Sequence, residues 1–194
     1  DTDRSRGLGD VYKRQDKFVP AILEAWYPGS MGGIAVADAL FGDYNPGGKL
    51  TVTFPKSVGQ IPLNFPAKPS SQIDGGKNPG MPGNMSRVNG PLYPFGYGLS
   101  YTTFAYSNMS AEKTGEHQVT VSFDIENTGK MDASEVAQVY VHDVQSSVPR
   151  PLKELKGYEK VFLKKGEKKR VSVVLDEDAF SFYDMNQHRF VVEK

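Results

Sequence analysis

The sequence predicts a mixed architecture, the closing strand–helix–strand of an α/β layer followed by an all-β sandwich. Three observations carry that prediction. Between residues 18 and 54 the apolar pattern passes from a continuous run to helical spacing and then to alternation. From residue 104 onward, short alternating segments recur between turn signals. Joining the two regions is PLYPFGYGLSYTTF, residues 91–104, with five aromatic residues and two prolines around a Gly-x-Gly pair. Tyr93, Phe95, Tyr97, Tyr101 and Phe104 carry too much apolar area to leave in water, at roughly 25 cal/mol per Å². The segment therefore reads as an ordered connector held against packed surfaces on either side.

The elements follow in order. Residues 18–26, FVPAILEAW, form a short apolar run closed by Pro28-Gly29, the pattern of a buried strand in a mostly parallel sheet. Ser30 is the expected N-cap of a helix whose apolar positions are Ile34, Ala37, Leu40 and Phe41, with Gly42 as its stop. Residues 50–54, LTVTF, alternate as a strand ending at Pro55. This unit is too small to close a core alone. Residues 57–90 are rich in Pro, Gly, Asn and Ser and hold no element; a loop of that length is usually functional or laid across a neighbouring domain. Strands are then expected at 119–125, 136–144, 155–163 and 171–175, with short ones at 180–182 and 190–192. Six or seven short strands with regular turns indicate an immunoglobulin-like sandwich.

Composition bounds the function. With 194 residues, 38% hydrophobic, 24% charged and zero formal net charge, the chain reads as one or two globular domains. That balance gives no electrostatic footprint for nucleic acid or an anionic membrane. No apolar run approaches the roughly 18 residues of a membrane span, and the polar N-terminus has no secretory h-region. With no cysteine there are no disulfides or thiolate metal sites. Residues 1–15, DTDRSRGLGDVYKRQ, show no period and are read as a non-native scar, with a native flexible extension as the alternative.

Three blocks resemble glycoside hydrolase family 3. The first is AWYPGSMGGIAVADALFGDYNPGGKLTVTFP, residues 25–55, similar to the family's strand–Pro-Gly–helix close of its α/β sandwich domain. The second is the connector. The third, IENTG at 125–129, EVAQVYV at 135–141 and RPLKELKGY at 150–158, resembles the family's fibronectin type III-like domain. GDYNPGGKL and SVGQIPLNF point within the family to bacterial periplasmic β-glucosidases. The resemblance covers about residues 17–194. It implies a layout of 16–56 as the end of an α/β sandwich domain, 57–103 as loop and connector, and 104–194 as a fibronectin type III-like sandwich lacking its last strand. Thr51 stands where the family has proline, a departure that costs local rigidity.

The resemblance also implies an activity for the intact enzyme, retaining exo-hydrolysis of terminal β-D-glucosidic bonds in an oligosaccharide or aryl β-glucoside, with β-xylosidase or another exo-glycosidase as alternatives. Such enzymes use two carboxylates about 5–5.5 Å apart. The family places the nucleophilic Asp on an N-terminal barrel and the acid/base Glu earlier in the sandwich domain. Neither motif occurs in this sequence, so no catalytic residue is assigned, no cofactor or metal is implied, and the chain alone is expected to be inactive. The missing barrel is the expected packing partner, and a periplasmic or secreted location follows by resemblance. From a different class, a carbohydrate-binding or adhesion module is weighed; it calls for an exposed aromatic platform on the sandwich, whereas the aromatics concentrate in the connector.

Individual residues carry little independent chemistry. Glu24 and Asp38 lack a partner motif and are read as structural or solvated. His117, His142 and His188 match no metal spacing. Gly29, Gly32 and Gly33 do not make Gly-x-Gly-x-x-Gly, and Ser30 is not in a nucleophile elbow. Lys164, Lys165, Lys168, Lys169 and Arg170 straddle a turn and are expected to solvate a sheet edge. Asn84 and Asn108 head formal glycosylation sequons. Within residues 64–89, Arg87 is the candidate for contact with the barrel or an outer sugar subsite.

Overall fold

The computed structural model describes residues 14–68 and 90–193, which fall into two compact units. Of the described residues, one unit holds 14–37, 49–68, 90–97 and 150–152; the other holds 38–48, 98–149 and 153–193.

The second unit contains seven strands, β1 Phe104–Gly115, β2 Gln118–Asn127, β3 Ala133–Val141, β4 Glu154–Leu163, β5 Lys168–Leu175, β6 Phe182–Asp184 and β7 Arg189–Val191. They form antiparallel sheets ordered β1-β2-β5, β3-β4 and β6-β7. Alternation decides which side chains go inside. Phe123 and Ile125 of β2, Val171, Val173 and Leu175 of β5 and Leu163 of β4 meet in one core, while Ser122 and Ser172 hydrogen-bond at 2.8 Å on the other face. Gly157 of β4 lies flush against Val173 and Leu175, where a side chain would collide with the Val173 methyl.

The all-β sandwich thus stands as the sequence predicts, with local differences. β1 is a strand that no alternation announced. The strand expected at 180–182 begins two residues later, as β6 Phe182–Asp184, because Phe180 ends a one-turn helix, Glu177–Phe180, whose turn the Ser181 N–H closes onto the Glu177 carbonyl. β3 starts at Ala133 and ends at Val141, and Val144 is exposed.

Among the described residues of the first unit, neither strand expected before residue 55 forms a ladder. Residues 14–18 are helical and 20–26 are irregular, with Phe18, Ile22, Leu23 and Trp26 exposed. A buried parallel strand owes its backbone groups to neighbours on both sides, and no such neighbour pairs with this segment among the described residues. Among the described residues, LTVTF makes one bridge, Phe54 to Tyr93. Its partner is the connector. Leu50 N–H donates to the Tyr97 carbonyl (2.8 Å), Gly96 N–H to that of Leu50 (2.7 Å) and Phe54 N–H to that of Tyr93 (2.8 Å).

The helix Gly32–Phe41 forms as expected and ends at Gly42, whose φ of 87° is the left-handed value a stop requires; Gly42 and Tyr44 N–H both bond the Asp38 carbonyl. Its start is shifted. Ala35 N–H bonds the Met31 carbonyl, so Met31 holds the cap position and Ser30 lies in the preceding turn. Gly32 is needed there because a Cβ would strike the Pro28 ring.

Candidate functional site

The chemistry-bearing feature of the described residues is a row of aromatic rings in the first unit. Tyr97 N–H bonds the Pro94 carbonyl at 3.1 Å, closing a four-residue turn whose third residue, Gly96, has φ 79° as a type II turn demands. The turn folds Tyr97 back onto Tyr93, and the rings stack 5.4 Å apart at 15°. Phe95, at the tip, stacks on Phe65 at 4.4 Å and 9°. Phe54 lies 6.1 Å from Tyr93, and Trp26 meets Phe54 edge-on at 6.0 Å. Four rings thus run in sequence, Trp26–Phe54–Tyr93–Tyr97. Phe54 is buried, while Trp26 is 51% and Tyr97 39% exposed.

Polar groups hold two members of the row, Tyr93 and Trp26. The Tyr93 hydroxyl donates to Asp16 Oδ1 at 2.7 Å; burial first, and the Asp16 carboxylate second, push its pKa up to about 12. Trp26 has φ 50°, a region bulky residues rarely enter, and its N–H donates to Glu24 Oε1 at 3.2 Å. Buried Gln60 ties the start of the connector to the 3₁₀ turn Val58–Gln60. Its Nε2 donates to the Gly90 carbonyl (2.9 Å), and its Oε1 accepts from Lys56 N–H (2.7 Å) and Ser57 N–H (3.2 Å).

The residues singled out from the sequence take structural places. Glu24 closes its local turn, and Asp38 receives two N–H groups on its carbonyl. His117, His142 and His188 are exposed, and among the described residues no group of three or more His, Cys, Asp or Glu is placed to hold a metal ion. Arg87 and Asn84 lie outside the described residues.

The basic cluster is more specific than a solvated edge. Lys168 Nζ and Arg170 Nη1 each lie 3.2 Å from an oxygen of Asp124 on central strand β2, and Asn108 of β1 donates to the same carboxylate at 2.7 Å. With the Asn108 and Arg170 hydrogen bonds dominant, the Asp124 carboxyl is held down to about 2. The sequon residue Asn108 is therefore a rung of a three-strand polar ladder. Sequence reasoning missed Gln60 and Asp124; the Ser-x-x-Gln spacing of Ser57 and Gln60 was a local capping signal, whereas the Asp124 partners lie 16 and 46 positions away.

Comparison with known proteins places this arrangement. Residues 6–101 match the model described as "Glycosyl hydrolase family 3 C-terminal domain", and residues 135–194 match the "Fibronectin type III-like domain". The periplasmic beta-glucosidase of Salmonella typhimurium is 46% identical over 181 residues, 88% of this chain and 23% of that protein. A beta-xylosidase of Formosa agariphila is 43% identical over 176 residues, 89% of this chain and 24% of that protein. Among solved structures, a β-glucosidase of Erythrobacter marinus superposes with a TM-score of 0.80 at 40% identity, over 92% of this chain and 23% of that one. The β-glucosidase of Listeria innocua, in complex with gluconolactone, gives 0.77 at 40% identity, over 88% and 24%. The chain thus spans about a quarter of the length of the relatives it matches.

Proposed function

Because this chain belongs to glycoside hydrolase family 3, we propose that it is the structural C-terminal part of a retaining exo-glycosidase. That enzyme cleaves terminal β-D-glucosidic bonds of oligosaccharides or aryl glucosides. The observation that carries this reading is the pairing of two facts: the matched relatives are four times longer than the chain, and its aromatic row leaves Trp26 and Tyr97 partly uncovered. An N-terminal barrel of the same polypeptide is the partner proposed for the uncovered rings and for the apolar Ile34, Leu40 and Phe41 exposed on the helix Gly32–Phe41.

The proposed layout is 16–56 as the end of the α/β sandwich domain, 57–103 as loop and connector, and 104–194 as the fibronectin type III-like domain. A periplasmic location of the parent enzyme is supported by the name of the Salmonella relative. Arg87 keeps its proposed role at the barrel or an outer sugar subsite, and Arg87→Ala in the intact enzyme is expected to change kinetics on long relative to short substrates.

The test compares turnover of 4-nitrophenyl β-D-glucoside by the intact enzyme and by the purified 194-residue chain. Turnover by the first and none by the second is expected; turnover by the chain overturns the reading. A preference of the intact enzyme for the β-xyloside would favour the second reading, which the Formosa relative supports. Retention of the chain on insoluble glucan would favour a binding module.

A further inference from the structure

The boundary at residue 104 divides the sequence where its pattern changes, but the polar contacts inside the sandwich unit reach further back. Asn127, at the end of β2, has no exposed surface and uses its whole side chain. Its Oδ1 accepts from Thr102 Oγ1 (2.7 Å) and Gly129 N–H (3.2 Å), and its Nδ2 donates to the carbonyls of Met131 (2.7 Å) and Leu163 (3.2 Å). Asn127 N–H bonds the Glu167 carbonyl, and Gly166 N–H bonds that of Asn127, both at 2.9 Å. Gly129 is needed beside it, since a Cβ there would overlap the Thr102 hydroxyl.

Thr102 hands the connection upstream. Its N–H bonds Ser100 Oγ (3.3 Å), and the Ser100 hydroxyl donates to Asn45 Oδ1 (2.9 Å), which also accepts Tyr101 N–H (3.0 Å). The main-chain donor fixes which way the Asn45 amide faces. The Tyr101 hydroxyl then reaches the Ala39 carbonyl (2.9 Å) near the end of the helix Gly32–Phe41. Gly47, two residues past Asn45, lies so close to the Ser134 carbonyl of β3 that no side chain fits.

We propose that Asn45, Ser100, Thr102 and Asn127 form a relay that makes residues 38–48 and 98–103 part of the sandwich's cooperative core. The end of the helix and the turn that follows it then unfold with β2 and β5. In this reading Asn45 and Asn127 are positioning residues: the sandwich holds the close of the catalytic-core segment in place. The relay is independent of which glycoside the parent enzyme cleaves. The Asn127 amide is buried and fully paired, so breaking it strands several donors and acceptors at once, whereas Asn45 commits only its Oδ1, to two donors, while its buried Nδ2 has no partner among the described residues.

Native-state hydrogen exchange of the full chain in rising urea tests the proposal, because the reporting amides are known individually. The Tyr44 and Tyr101 amides are expected to exchange through the same large opening as the Asn127 and Thr128 amides. Exchange of Tyr44 and Tyr101 together with Leu50, Phe54 and Gly96 instead, ahead of Asn127, overturns the proposal. The mild variant Asn45→Ala keeps the test open if Asn127→Ala fails to fold. It is expected to accelerate exchange about tenfold at Tyr101 and also at Asn127 and Thr128. Acceleration confined to Tyr101 overturns the relay.

Discussion

Leu163 in β4 has no exposed surface, whereas Trp26, also large and apolar, is half exposed although it touches the Phe54 ring. The difference is one of geometry. Strands β2, β4 and β5 close over Leu163 from two sheets, so its burial is complete within its own unit. The rings around Trp26 form a single row, and a row has a free face. A chain can thus be ordered in two ways, by a closed core or by stacked rings and a few main-chain bonds; the second buries Phe54 but leaves Trp26 and Tyr97 partly in water.

Core truncation is expected to separate the two regions most strongly. Leu163→Ala should cost about 2–5 kcal/mol in urea melts, as a sealed leucine does. Phe54→Ala should cost clearly less in the same chain, because its neighbours already face solvent on one side. Equal losses would break the comparison and show that the ring row is as closed as the sandwich. Next in size is Gly157→Ala. The added methyl meets Val173 in the core and should destabilise by about 1–3 kcal/mol through overpacking, with the near-ultraviolet spectrum of the connector tyrosines unchanged.

How much of this was legible in the sequence depends on where each residue finds its partner. β2, β3 and β5 could be read from alternation because one face of each is buried. β1, FAYSNMSAEKTG, shows little alternation because it is an edge strand exposed over nearly all its length, ordered by main-chain pairing with β2 and bulged at Asn108, whose φ is 51°. The run 18–26 has the composition of a buried strand, but neighbours decide whether a strand forms, and composition does not name them. Asn127 reads as a turn residue in Asn-Thr-Gly. Its role comes from Thr102, 25 positions before it, and Leu163, 36 after it. The connector was visible as something that must be packed; which ring meets which was set by the Gly96 turn.

Acid separates the units electrostatically. The folded Asp124 carboxyl titrates at about 2, below the ordinary aspartate value near 4. Its stabilisation is therefore fully present above pH 4 and is lost as pH falls toward 2. The urea midpoint of the sandwich should drop across that window, and Asp124→Asn should lower the neutral midpoint while flattening the acid limb. An unchanged acid limb in the variant would assign the pH dependence to other carboxylates.

Alkali sharpens the connector side, with the smallest effect. Tyr93 titrates at about 12, above the ordinary tyrosine value near 10, because burial and the Asp16 carboxylate both disfavour the phenolate. A raised folded pKa means that the contribution is intact below pH 10 and disappears as pH rises through 12. Tyr93→Phe removes the hydroxyl but keeps the ring stacked on Tyr97, so a loss of about 1 kcal/mol or less is expected. Absorbance titration at the phenolate band should then lose a late-ionising tyrosine. Loss of an ordinary tyrosine from that titration would show that the Asp16 bond does not hold in solution, leaving Tyr93 held by its ring contacts and main-chain bonds.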